Sequence, residues 1–201
     1  MSEEAAVDLG WNGDTLPVGS HVCWYYAGEE QLKQALRFLE VGLSRPGEVC
    51  VLFADSSRLP SLLEWLAEGA DEHLPALVDA GKLVLIAGAP TREAIVMEIT
   101  ERLDRALADG YQLIRFLGLI GWGSPGWPAD CDLLEFEAGV NEVVGAYPAV
   151  TVCMHDVPLL SGPSLIYGGL QAHPYALLGG RLTENPYFVQ PEEFVRALEE
   201  V

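Results

Sequence analysis

Runs of apolar residues alternate along this chain with stretches whose apolar positions recur every three or four residues. The runs cover residues 19–26, 48–54, 82–87, 111–120, 150–156 and 175–179, and their β-branched and aromatic content predicts strands. The periodic stretches predict helices. The first opens near Gly28 with the stripe Leu32, Ala35, Leu36, Leu39 and Leu43, and 45–47 stops it. Others fall at 59–68, 74–81, 91–109, 131–145, 161–172 and 191–198. Thr91 is placed to cap the longest, ahead of Ile95, Ile99, Leu103 and Ala106. Strands without polar interruption suit burial on both faces, and strands alternating with helices imply parallel βαβ units. The expected fold is therefore α/β: a three-layer sandwich, a mostly parallel sheet of about six strands, and helices on both faces. No second core is visible, so residues 18–201 read as one domain. Residues 1–17 are acidic and then glycine-rich, and read as a flexible N-terminal segment with Trp11 packing back.

The stretch 111–156 reads as strand, glycine-tryptophan loop, helix, strand. Ligands of parallel sheets sit beyond the carboxyl ends of the strands. Those ends carry Gly121, Trp122, His155 and Asp156. The intervening helix has an apolar face of Leu133, Phe136, Val140, Val143 and Val144, with Glu137 inside it and Asn141 at its edge. A carboxylate aimed at a core is costly unless it is paired, hydrogen-bonded or protonated. Either Glu137 ties down a neighbouring loop through backbone amides, or it is a polar group in a largely apolar ligand pocket.

Composition removes several classes. The formal net charge is −19 and no Lys/Arg cluster interrupts it, which opposes binding to nucleic acid or to an anionic membrane. No apolar run approaches the ~18 residues of a membrane span, and the acidic start lacks the features of a signal peptide. A cytoplasmic location is expected. The cysteines Cys23, Cys50, Cys131 and Cys153 form no CxxC and read as reduced, buried thiols.

The common chemistries also fail. The loop after the first long strand, 25–30, has one glycine and two carboxylates where a P-loop needs glycines and a lysine. No GxSxG elbow occurs. Cys153 and His155 lie two apart on one strand, whereas a Cys–His nucleophile pair normally comes from separate elements. No catalytic residue is expected. For a metal, the soft candidates are His21, Cys23, Cys153, His155 and His173. His21 begins its strand and His155 ends its own. At ~3.3 Å per residue those ends lie more than ~10 Å apart in unstaggered strands, so a full ligand set is not expected. Cys23 and Cys153 can still approach at mid-sheet. His73, in a polar segment, is expected to be exposed.

Several ordered islands resemble the MEDS family, the sensory domain of methanogen and methylotroph regulators. They are 19–23 with Tyr25 and Tyr26, 115–122, 134–138 with Asn141, 153–156, 172–174 and 184–187. His155 departs from the resemblance, since tyrosine is more usual there, and the segment after the third strand is short and proline-broken. The resemblance implies a degenerate RecA/KaiC-like fold without a P-loop, and the sensing of small hydrocarbon derivatives. It also implies that histidines and cysteines, here His21, Cys23, Cys153 and His173, help to hold a ligand or metal.

Taken together, the expectation is a non-catalytic sensory domain that binds a small, largely apolar organic ligand at the carboxyl edge of the sheet. Tyr26, Trp122, Glu137, Asn141, His155 and Asp156 are the expected pocket residues. No cofactor is required, although a metal is compatible with His21, Cys23, Cys153 and His173. Output would pass to a partner signalling protein or through self-association. The alternative is a ligand-free interaction module, a degenerate ATPase fold docking on a kinase or sigma-factor regulator.

Overall fold

The computed structural model describes residues 6–70, 73–129, 132–190 and 193. The elements in order are β1 (Ala6–Asp8), β2 (Thr15–Pro17), β3 (His21–Tyr26), α1 (Glu29–Leu43), β4 (Glu48–Ala54), α2 (Leu59–Gly69), α3 (Leu74–Asp79) and β5 (Leu83–Ala87). Then come α4 (Arg92–Ala108), β6 (Leu113–Ile120), α5 (Asp132–Ala146), β7 (Ala149–Asp156), a π-helix (Ser164–Gln171), β8 (Tyr175–Leu178) and β9 (Arg181–Glu184).

The fold is α/β, as the alternation predicts, but the main sheet has seven strands rather than about six. Its order is β5-β4-β6-β7-β3-β8-β9, parallel except for β9. The additional strand is β9, three of whose four residues are exposed, so it carries no apolar run. It is set by its turn: Gly179 and Gly180 both take positive φ, 56° and 76°, and join Leu178 to Arg181 as a two-residue hairpin. The expected 161–172 helix forms as a π-helix over Ser164–Gln171. The expected helix 191–198 lies outside the described residues apart from Glu193, as does Cys131.

Helices cover both faces. One core joins Leu32, Leu36 and Leu39 of α1, Leu62 and Leu66 of α2, and Leu74 and Leu77 of α3 to Leu52, Leu117 and Val152 of the sheet. The other joins Ile95, Ile99 and Leu103 of α4 and Leu133 and Phe136 of α5 to Val51, Phe116 and Cys153. Thr91 caps α4 by accepting from the Ala94 amide at 3.3 Å. The side chains of Val143 and Val144 lie outside the described residues.

Residues 6–17, read from sequence as a flexible segment, form the hairpin β1–β2 and bury Val7, Leu9, Trp11 and Leu16. The anchor is Arg115, a fully buried cation on β6. It pairs with the Glu48 carboxylate at 2.5 Å and donates to the Asp8 carbonyl at 2.6 Å and the Phe38 carbonyl at 3.2 Å. A buried guanidinium needs such partners, and the hairpin backbone supplies one of them.

Candidate functional site: a buried histidine–cysteine–glutamate cluster

Strand alternation builds the floor of the cluster. β3 and β7 pair in parallel, with His21 against Thr151, Cys23 against Cys153 and Tyr25 against His155. His21, Cys23, Cys153 and His155 therefore share one sheet face, and all four are buried. α5 lies over that face. Its helical spacing carries Leu133, Phe136 and Glu137 inward together, and Glu137 is 0% exposed. His173, in the turn between the π-helix and β8, closes the group and is also 0% exposed.

Among the described residues, no backbone amide donates to the Glu137 carboxylate. Its Oε2 lies 3.6 Å from His21 Nε2 and 3.5 Å from His173 Nε2, and its Oε1 lies 3.3 Å from His155 Nε2. None of these approaches has hydrogen-bond geometry: both carboxylate oxygens, His155 Nε2 and His173 Nε2 are buried without such a partner among the described residues. Cys153 Sγ lies 3.2 Å from His21 Nε2, and Cys23 Sγ lies 3.6 Å from His155 Nδ1. His21 and His155 sit at different levels of the β3–β7 register, yet both imidazoles reach the Glu137 carboxylate. His173 fills the interval, its ring centroid 3.9 Å from that of His21 and 5.3 Å from that of His155. The polar set that strand arithmetic left incomplete is thus completed from α5 and from the turn before β8.

A surrounding layer fixes two tautomers. His173 Nδ1 donates to the Gly169 carbonyl at 2.6 Å. Asn141 spends its amide hydrogens on the Ala172 carbonyl at 2.6 Å and the Glu137 carbonyl at 3.2 Å, so its Oδ1 accepts from His21 Nδ1 at 3.2 Å. Both imidazoles then present a bare Nε2 to the cluster. Burial holds the His21 and His173 pKa values below the ordinary range, His173 most strongly, with the neighbouring imidazoles adding to it. Burial also pulls on His155, but Cys23 and Glu137 outweigh it and push that group up to about 10. Burial and Glu137 raise the Cys153 thiol well above its usual value.

The six expected pocket residues do not converge on the carboxyl edge. Glu137, Asn141 and His155 belong to the cluster. Tyr26 and Asp156 lie on the opposite sheet face, where Tyr26 donates to Asp156 at 3.1 Å and Arg58 donates to both, at 3.2 and 3.1 Å. Trp122 is fully buried against Trp127 and Phe136, at centroid distances of 5.2 and 4.5 Å. The reason is the two-residue strand period: His155 and Asp156 are neighbours in sequence and so point to opposite sides.

A cleft of about 280 Å³ opens between α4, α5 and the sheet. Ile99, Leu103, Phe116 and Phe136 form its apolar walls, and Thr151 and Cys153 its floor. Arg92 and Glu135, also in its lining, pair across from α4 to α5. Sequence reasoning missed this cleft. Its walls read as ordinary helix stripes, and only the packing of α4 against α5 leaves the space between them.

A seven-stranded, mostly parallel α/β sheet with a polar cluster buried under one helix layer defines the class of domain. Within that class the chain belongs to MEDS, the methanogen/methylotroph, DcmR sensory domain, whose family model matches residues 20–174. MEDS is a sensory-type family. No curated protein matches the chain. No helix among the described residues is long and apolar enough to cross a membrane.

Proposed function

We propose that this chain is a non-catalytic sensory domain that receives a small, largely apolar organic molecule in the α4–α5 cleft and passes the signal to a partner protein in transcriptional or signal-transduction control. The observation that carries this reading is the cleft itself: apolar walls, a floor of Thr151 and Cys153, and the Arg92–Glu135 pair in its lining. Pockets that take small molecules combine apolar lining with a few placed polar groups. The floor residue Cys153 also belongs to the buried cluster, so occupancy of the cleft bears directly on side chains of β3, β7 and α5. The relation to RecA/KaiC-like ATPases belongs to the same proposal. The parallel sheet and the residues after β3, Ala27, Gly28, Glu29 and Glu30, which lack a phosphate-binding loop, support it.

The test is titration of the full chain with toluene and cyclohexane, followed by methyl chemical shifts. Saturable shifts at Ile99, Leu103 and Val140 are expected. Val96→Trp, at a partly exposed position in the lining, should abolish them without unfolding the protein. Absence of saturable shifts with both probes, or shifts that persist in Val96→Trp, overturns the reading.

A further inference from the structure

The cluster gathers buried acceptors that the protein's own groups satisfy only in part. His21 and His173 each spend Nδ1 on a neighbouring oxygen, so each turns a bare Nε2 lone pair inward. These lone pairs face Glu137 Oε2, itself an acceptor, at 3.6 and 3.5 Å. Without a metal, the Cys153 thiol donates to the same His21 nitrogen at 3.2 Å, and on losing its proton it becomes a further ligand-type atom there. Electron-rich atoms thus converge in a fully buried space, and the Glu137 oxygens and His173 Nε2 lack hydrogen-bond partners among the described residues. Such an arrangement is unfavourable unless a proton or a metal cation lies between them, and the convergence of four ligand-type atoms is what a metal ion would require.

We propose that His21 Nε2, His173 Nε2, Cys153 Sγ and Glu137 Oε2 form a binding site for one divalent transition-metal ion of the zinc type. The four ligand atoms lie within 4.8 Å of one another. A tetrahedral zinc with bonds of ~2.0–2.3 Å requires ligand atoms about 3.3–3.8 Å apart. The separations of 3.2, 3.5 and 3.6 Å already approach this. Two imidazoles, a thiolate and a carboxylate favour zinc and similar ions over magnesium or calcium, which prefer oxygen ligands. The charges balance: the thiol releases its proton to solvent, and thiolate plus carboxylate neutralise the ion.

The outer layer fits as well. Metal-bound histidines usually donate their second ring nitrogen to an oxygen, as His21 does to Asn141 and His173 to Gly169. His155 Nε2 lies 3.3 Å from Glu137 Oε1, the carboxylate oxygen outside the proposed ligand set. Four protein ligands fill a tetrahedral ion, leaving no open position for a reactive water, which separates this site from hydrolytic zinc centres. The site goes beyond the cleft reading and stands or falls independently of it.

The experiment uses the full chain, unfolded in chelator, refolded, and titrated with Co²⁺ and separately with Zn²⁺. One ion per chain is expected. The cobalt form should show the intense visible bands of a tetrahedral centre and a thiolate-to-cobalt charge-transfer band. Cys153→Ser should remove the charge-transfer band and weaken binding at least ~10-fold, while Cys23→Ser, at the register-matched position, keeps both. X-ray absorption of the zinc-loaded wild-type chain needs no variant to fold. It should show one sulfur at ~2.3 Å and three nitrogen or oxygen ligands at ~2.0–2.2 Å. A folded wild-type chain that takes up neither ion, a centre without sulfur, or a charge-transfer band lost in Cys23→Ser and kept in Cys153→Ser overturns the proposal.

Discussion

Asn141 Oδ1 lies 3.2 Å from His21 Nδ1, so a helix amide decides which nitrogen of a strand imidazole carries the proton. The same Asn141 donates to the Ala172 carbonyl, next to His173. One side chain therefore ties together β3, α5 and the turn that carries the second imidazole. Asn141→Leu is expected to destabilise the protein by about 1–3 kcal/mol, because it strands a buried N–H and a buried carbonyl. Urea unfolding of the chelator-treated chain checks this. A change below ~0.5 kcal/mol would mean that water replaces the amide without loss.

Trp11 makes a second prediction, on the segment read from sequence as flexible with this ring packing back. Its ring lies edge-on to Trp24 at 4.9 Å and is 6.1 Å from Phe38. Trp11→Ala should cost about 3–5 kcal/mol, the usual effect of deleting a buried aromatic ring. Unfolding midpoints at constant urea dependence would show it. A neutral substitution would mean that the β1–β2 hairpin detaches without consequence.

Cys50 gives a pH dependence. Its thiol is fully buried and donates to the Leu39 carbonyl at 3.3 Å. Burial pushes its pKa from 9.0 up to about 12, with Arg115 and Lys82 pulling back only partly. A thiol held above its unfolded value keeps its proton longer in the folded state. The stability it brings is complete below pH ~9 and is lost as pH rises toward ~12, at about 1.4 kcal/mol per pH unit per proton. Cys50→Ala should remove one such proton from the alkaline slope. Unfolding free energies in reductant between pH ~8 and ~11, wild type against variant, measure the difference; parallel curves would refute the assignment.

The Arg92–Glu135 pair joins α4 to α5 at two partly exposed positions. Exposed pairs contribute little, so Arg92→Ala should change stability by less than ~1 kcal/mol. If the pair closes the cleft, the same variant should speed toluene exchange several-fold. NMR line shapes at fixed occupancy report the rate, and an unchanged rate would place the entrance elsewhere.

Much of this molecule is determined locally. Continuous apolar runs gave the buried strands, and the two-residue period put His21 with Cys23 and Cys153 with His155 on shared faces. The helical period put Glu137 inward with Phe136 and Asn141 beside it. The ordered islands of sequence were enough for the family. A local pattern fixes which way a side chain points, but not what it meets. Register set Cys23 against Cys153, and the turn before β8 inserted His173 beside His21, 152 residues away in sequence by the numbering. The same period that aligned the cluster sent Asp156 and Tyr26 to the other face, away from Glu137. The hairpin β1–β2 found its place through contacts distant in sequence, Trp11 against Trp24 and Phe38 and the Asp8 carbonyl against Arg115. Packing between distant elements decided these contacts, and it also left the cleft between α4 and α5, which no stretch of sequence contains.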